Sequence, residues 1–178
     1  MSVRPATILD APALATIQRA CWHQLYQPIW PAVSELLAAG SVSATWGEAI
    51  TLADASPVSP YHVFVAVNQA EKVVGFAALA PSFDADAGPG LSDLVALYVL
   101  PEAQRCGHGS RLVSAVAAAG RAGTVQRLVC WVYAGDYIRQ RFLKQLGFGA
   151  DGATRSWRTP DGDLIDEARW GTRLDLPN

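Results

Sequence analysis

The sequence has little excess of either charge. Its 14 Lys and Arg against 16 Asp and Glu leave a formal net charge of -2, and the basic residues are scattered, so the footprint of a nucleic-acid binder is missing. No apolar run reaches the length of a membrane span. The N-terminal stretch MSVRPATILDAPALATIQRA interleaves polar and charged side chains where a secretory leader requires an unbroken apolar segment. These absences lead us to expect a soluble, cytoplasmic protein that binds neither membranes nor polynucleotides.

Cysteine is also scarce. Cys21, Cys106 and Cys130 are odd in number and form no Cys-x-x-Cys pair, which fits a reducing compartment and argues against a disulfide framework or a zinc site. His-x-His and His-Glu-x-x-His are missing too, so no metal is expected. Internal repeats and low-complexity segments are likewise absent.

What is present is a changing apolar rhythm along 178 residues, enough for one domain, residues 1–178, with a sizeable core. SVRPAT fits a short strand. Asp10 is placed to cap a helix from about Ala11, with Pro12 in its first turn and Leu14, Ile17 and Cys21 in helical spacing. The aromatic stretch CWHQLYQPIWP is broken by Pro28 and Pro31. Two shorter helical patterns follow, around Val33 to Leu37 and Thr45 to Leu52, and ADASPVSP reads as loop.

YHVFVAV and VVGFAALAPS, separated by NQAEK, predict an antiparallel hairpin. LSDLVALYVL predicts a third strong strand, stopped by Pro101. From Gly109 the residues Leu112, Val113, Val116 and Ala117 share one helical face. RLVCWVY is a further strand. Asp136 then caps a helix whose expected core stripe is Ile138, Phe142 and Leu146, ended by Gly147. ATRSWRT, the turn PDGD and LIDEARWGTRL make a last hairpin, either a wall of a cleft or an edge used in a homodimer. The expected fold class is mixed α/β (α+β).

One stretch carries chemistry: PEAQRCGHGSRLVSAV, residues 101–116, where two glycines flank a histidine between a strand and a helix. A helix that starts directly after a strand presents unpaired N–H groups with the positive end of its dipole behind them. Gly107 and Gly109 lack Cβ atoms that would keep an anion away, and Arg105 and Arg111 add charge. A dinucleotide fingerprint would need a third glycine where Leu112 stands, and the Gly-Lys-Ser/Thr ending of a nucleotide triphosphate loop occurs nowhere. The turn is either an anion site of another kind or only a tight connection.

Gln104-Arg105-Cys106-Gly107-His108-Gly109 resembles the Q/R-x-x-G-x-G/A signature of the GCN5-related N-acetyltransferases, the GNAT superfamily. DYIRQRFLKQLGFG resembles its second signature, an Asn-to-Tyr helix ending in Leu-Gly-Phe. The resemblance extends over almost the whole chain in element order. It implies a twisted, mostly antiparallel sheet of six to seven strands with a splayed parallel pair, flanked by about four helices. It implies acetyl-CoA as cosubstrate and direct acetyl transfer to a primary amine of a small molecule or a peptide.

By the same resemblance, the backbone of Gln104, Arg105, Cys106, Gly107, His108, Gly109 and Ser110 would hold the pyrophosphate of the coenzyme, whatever side chains stand at positions 106 and 108. Leu97, Tyr98 and Val99 would bond the pantetheine arm, and Asp136 stands where the family often has Asn. Asp93 matches a position where some members carry a catalytic glutamate, and is either that base or a solvated strand-end carboxylate. The tyrosine that protonates the leaving thiolate would fall at Leu143, which cannot donate. Tyr137 lies about 240° away on the helix. Tyr133, or Tyr98, is the other phenol within reach, unless both are simply packed. A thiolate can also leave unprotonated, because a thiol titrates near about 8.5. Trp22 and Tyr26 would border the acceptor cleft, or form only a helix packing pair. Leu143 keeps open a second function, an acyl-CoA-binding or regulatory module without turnover.

Overall fold

The computed structural model describes residues 2–27, 30–37 and 39–174. Strand β1 (Ser2–Pro5) leads into helices α1 (Ala11–Leu25), α2 (Trp30–Leu36) and α3 (Ala39–Asp54). Strands β2 (His62–Val67), β3 (Val73–Pro81) and β4 (Leu91–Val99) follow, then α4 (His108–Ala122), β5 (Arg127–Tyr133), α5 (Tyr137–Gln145), β6 (Gly149–Arg158) and β7 (Leu164–Arg173). This is the order expected from the apolar rhythm. Pro31 sits in the first turn of α2, where a missing N–H costs nothing, and Pro28 lies outside the described residues.

The strands form one sheet in the order β1-β2-β3-β4-β5-β7-β6. Every neighbouring pair is antiparallel except β4 with β5. Two apolar layers cover the sheet. On one face Leu112, Val113 and Val116 of α4 and Leu143 of α5 pack on Leu128, Cys130 and Val132 of β5. On the other, Leu14 and Ile17 of α1 and Ile50 of α3 pack on Val65, Phe76 and Ala96.

The parallel pair creates the site. β4 and β5 are in register only over Leu91–Asp93 against Arg127–Val129. Beyond that point β4 stays with β3 as far as Val99, and β5 stays with β7 as far as Tyr133. The strands therefore fork, and the β5-facing edge of β4 is left without a ladder partner. A register shift opposite Ala78 and Leu79 leaves Val95 unmatched and 51% exposed. Bulges re-aim the side chains that follow them.

Two local readings need correction. Asp10 occupies the residue before α1, but its carboxylate accepts from the Arg4 guanidinium at 2.7 and 2.9 Å and from the Thr7 N–H at 2.7 Å, with no cap bond to α1. It closes the one-turn 3-10 helix that precedes α1 instead. On α5, Ile138 is 72% exposed and the fully buried residue is Leu143. Phe142 and Leu146 are partly buried against the core as expected, so only Ile138 leaves the stripe, and in the first turn Arg139, one position on, is the less exposed residue. Arg139 is thereby turned inward.

Candidate active site

The fork holds a cavity of about 180 Å³ lined by Asp93 and Tyr98 of β4, Cys130 and Tyr133 of β5, and Trp22 of α1 with Tyr26 just beyond its end, with Asp136, Arg139 and Glu167 at its sides. Trp22, Tyr26, Asp93, Tyr98, Tyr133 and Asp136, which the sequence singled out, are thus brought together. Asp93 and Tyr98 are five apart and would face opposite ways on a regular strand; the bulge at Val95 lets both line the cavity.

Asp93 sits at the point of the fork, opposite Val129. Its Oδ1 is buried and has no hydrogen-bond partner. Burial raises its pKa to about 6, with the Asp84 charge adding to the rise and the Ser82 hydroxyl opposing it. A carboxyl group held there is half ionised at about pH 6 and mostly ionised at neutrality, which suits a proton acceptor.

The aromatic side is packed. The Trp22 indole donates to the Tyr98 hydroxyl at 2.8 Å. Tyr26 is 5% exposed and lies edge-on to Trp22 at 5.5 Å, with Tyr133 tilted against it at 5.4 Å. Trp22 and Tyr26 hence act first as a wall that fixes Tyr98 and Tyr133. Tyr137, 75% exposed, points away from the fork.

Opposite the aromatics stands the β6–β7 hairpin. Glu167 pairs with Arg155 at 2.7 Å, and Arg155 lies 4.3 Å over the Trp131 ring. The hairpin, for which the sequence leaves a cleft wall and a dimer edge open, lines the cavity through Arg155 and Glu167, and its β6 is an edge strand of the sheet. Arg139 had no sequence signal, because an arginine on a short polar helix looks like a surface residue. Asp136 caps α5 as expected, accepting from the Arg139 N–H at 2.9 Å.

The glycine turn lies apart from the cavity, at the start of α4. Gly107 has φ +79° and Arg105 φ +60°, so the chain passes twice through the left-handed region. No side chain caps α4, and its first backbone bond runs from the Arg111 N–H to the Gly107 carbonyl at 3.2 Å. The preceding N–H groups of His108, Gly109 and Ser110 carry the exposed end of the helix dipole. The Gln104 amide donates to the Val99 carbonyl at 3.1 Å and ties this turn to the end of β4.

The two glycines do different work. Gly107 supplies the left-handed backbone, whereas a Cβ on Gly109 would stand 3.1 Å from the Phe142 ring, so Gly109 lets α4 and α5 meet. His108 also departs from the indifferent position that the resemblance implies. It is 3% exposed with Nδ1 unpartnered, and burial lowers its pKa so that the ring is neutral. Cys106 is exposed.

Among the described residues no group of three His, Cys, Asp or Glu is placed to hold a metal ion, and no helix is long and apolar enough to cross a membrane. The three cysteines are free.

A forked sheet with an uncapped helix beside the fork is the arrangement that the sequence resemblance implies, and the comparisons name the family. The model of the Acetyltransferase (GNAT) family matches residues 19–148; the chain belongs to this family, and acetyl-CoA is its cosubstrate. Among solved structures it is similar to ribosomal-protein-alanine N-acetyltransferase from Brucella melitensis, with 25% identity, TM-score 0.75, and 97% of this chain and 99% of that one covered. PaiA N-acetyltransferase from Thermoplasma acidophilum, solved with coenzyme A, has 17% identity and TM-score 0.73 over 93% and 96% of the chains. The protein yncA from Salmonella typhimurium, solved with acetyl-CoA, has 21% identity and TM-score 0.70 over 100% and 96%. No curated protein matches in sequence.

Restoring a phenol at position 143 is not expected to improve catalysis. Leu143 is wholly buried between α5 and the sheet, so Leu143→Tyr overpacks the core by about 1–3 kcal/mol. Thermal melting should show the loss, and a faster enzyme of unchanged stability would overturn this placement.

Proposed function

We propose that the protein is a cytoplasmic, single-domain N-acetyltransferase that moves an acetyl group directly from acetyl-CoA to a primary amine of a small molecule or a peptide. The observation that carries this reading is the Asp93 carboxyl at the fork, with a buried, unpartnered Oδ1 facing a cavity beside an open strand edge. The turn from Gln104 to Ser110 holds the pyrophosphate by its backbone. The free edge of β4 from Leu97 to Val99 bonds the pantetheine arm, which brings the thioester to the fork, and Asp136 borders its path.

The amine attacks in its neutral form, and Asp93 takes the one proton that the nitrogen sheds as the C–N bond forms. The pair of electrons from the attacking nitrogen forms the new C–N bond, and the C–S bond breaks. A backbone N–H on the free edge of β4, in the Leu97 to Val99 stretch, would stabilise charge on the carbonyl oxygen. Tyr133 is the phenol that would take the family's donor role, and Trp22 with Tyr26 borders the acceptor. A homodimer would form through the exposed β6 edge.

The second reading, a module that binds acyl-CoA without turnover, is favoured by the buried Leu143. Release of free thiol in the presence of an amine panel separates the two: acceptor-dependent release supports transfer, and tight coenzyme binding with no release supports the module. Gly107→Val tests the coenzyme end. A β-branched residue at φ +79° is strained by about 1–2 kcal/mol, and its side chain stands where the anion approaches. The fold should survive and coenzyme affinity should fall at least about tenfold; unchanged affinity in calorimetry would remove the turn from the site.

A further inference from the structure

Arg139 reaches the fork from α5, one helical turn before Leu143. Its guanidinium lies 5.7 Å from the centre of the Tyr98 ring, and its Nε is buried with no hydrogen-bond partner. None of the ion pairs among the described residues includes it. Nearby arginines are engaged: Arg155 holds Glu167, and Arg169 holds Asp84 and Asp86. A cation with an unused donor thus shares one cavity with the proposed base.

The groups that face it are known from each side. Cys21 comes from α1 and Tyr26 from just beyond its end, Asp93 and Tyr98 come from β4, and Cys130 and Tyr133 from β5. Asp136 is on its own helix and Glu167 on β7. Burial pushes the Cys21 and Cys130 thiols up to about 11, while the Arg139 charge pulls both down.

We propose that Arg139 is the residue that receives the leaving sulfur, stabilising it as a thiolate in place of an acid that would protonate it. The proposal rests on the acetyl-transfer reading above. The amine proton goes to Asp93, the C–S electron pair stays on sulfur beside the guanidinium, and the coenzyme leaves as thiolate to be protonated in water. Nothing is oxidised or reduced, and no donor is required at position 143.

The test is calorimetric titration of the full chain with coenzyme A and with desulfo-coenzyme A between about pH 6.5 and 9.5, for the wild type, Arg139→Gln and Arg139→Lys. If the cation lowers the bound thiol by one pH unit, the preference for coenzyme A over its desulfo form grows about tenfold across that range. That growth should vanish in Arg139→Gln and persist in part in Arg139→Lys, while desulfo-coenzyme A binds all three alike. A wild-type preference that does not change with pH, or one that survives in Arg139→Gln, would overturn the proposal while leaving the coenzyme site intact. Failure of both compounds to bind the wild type would overturn the acetyl-transfer reading and this inference with it.

Discussion

Asp93→Asn is expected to lose about 10²–10⁴-fold in acetyl transfer and to gain stability at neutral pH. The loss follows from removing the proton acceptor at the fork. In the wild type the rate should rise with pH through about 6, where Asp93 ionises, and this limb should be gone from the variant's profile. The gain follows from the same burial. The folded-state value of about 6 lies above the ordinary 3.8, so between roughly pH 4 and 6 the folded chain keeps a proton that the unfolded chain has released. Stability therefore declines as pH rises through that window. Above it the charged carboxylate is held at a cost of at most about 3 kcal/mol, which its partial contact with solvent reduces to roughly 1 kcal/mol. The asparagine variant avoids that cost, and its melting temperature at pH 7 should be higher by about 2–4 °C. The difference should disappear below about pH 3, where both states of the wild type are protonated. An unchanged pH–rate profile would remove Asp93 as the base.

Arg169→Met is expected to be the most destabilising of the substitutions considered. Arg169 is 5% exposed. It holds Asp86 through two bonds of 2.6 Å, Asp84 at 2.9 Å and Asp151 at 2.8 Å, joining the β3–β4 loop and the β6 strand to β7. Without it the Asp84 and Asp151 side chains, each 16% exposed, lose a cation inside the protein. Such a truncation costs about 3–5 kcal/mol. The lower end applies, because Arg127 still pairs with Asp151 and the Trp131 indole still donates to Asp84 at 3.2 Å. The melting temperature should fall by about 6–12 °C. The site should feel it as well: Asp84 raises the Asp93 pKa and Arg169 lowers it, so the acid limb of the rate profile moves to higher pH. A variant that melts with the wild type would show that the cluster is not a support.

The sheet was largely legible because β2, β3 and β5 are buried strands whose β-branched and aromatic runs have few helical alternatives. The uncapped start of α4 was legible because glycine at positive φ leaves a trace in sequence. What failed has a physical reason in each case. Strict alternation cannot reveal the unmatched Val95, yet that single residue decides that Asp93 and Tyr98 share a cavity. Ile138 obeys the same helical spacing as Phe142 and Leu146, which do pack on the core, and only the position of the sheet shows that the first turn of α5 turns Arg139 inward instead. Asp93 was found through its place in a family pattern. Arg139 was missed because charge on a polar helix is ordinarily solvated, and its desolvation is a property of the fork alone.

The short register of β4 with β5 makes the sheet two ribbons joined at one end, like a zipper left partly open. The edge groups of β4 that lack a neighbour are the ones an amide-bearing arm would satisfy, so on the proposed reading the cosubstrate would take the place of a missing strand segment. Folding and recognition then draw on one set of hydrogen bonds. By mass action, resistance to unfolding rises with the logarithm of cosubstrate concentration once the site is more than half filled, and the same protein would be sturdier in a well-fed cell than in a starved one.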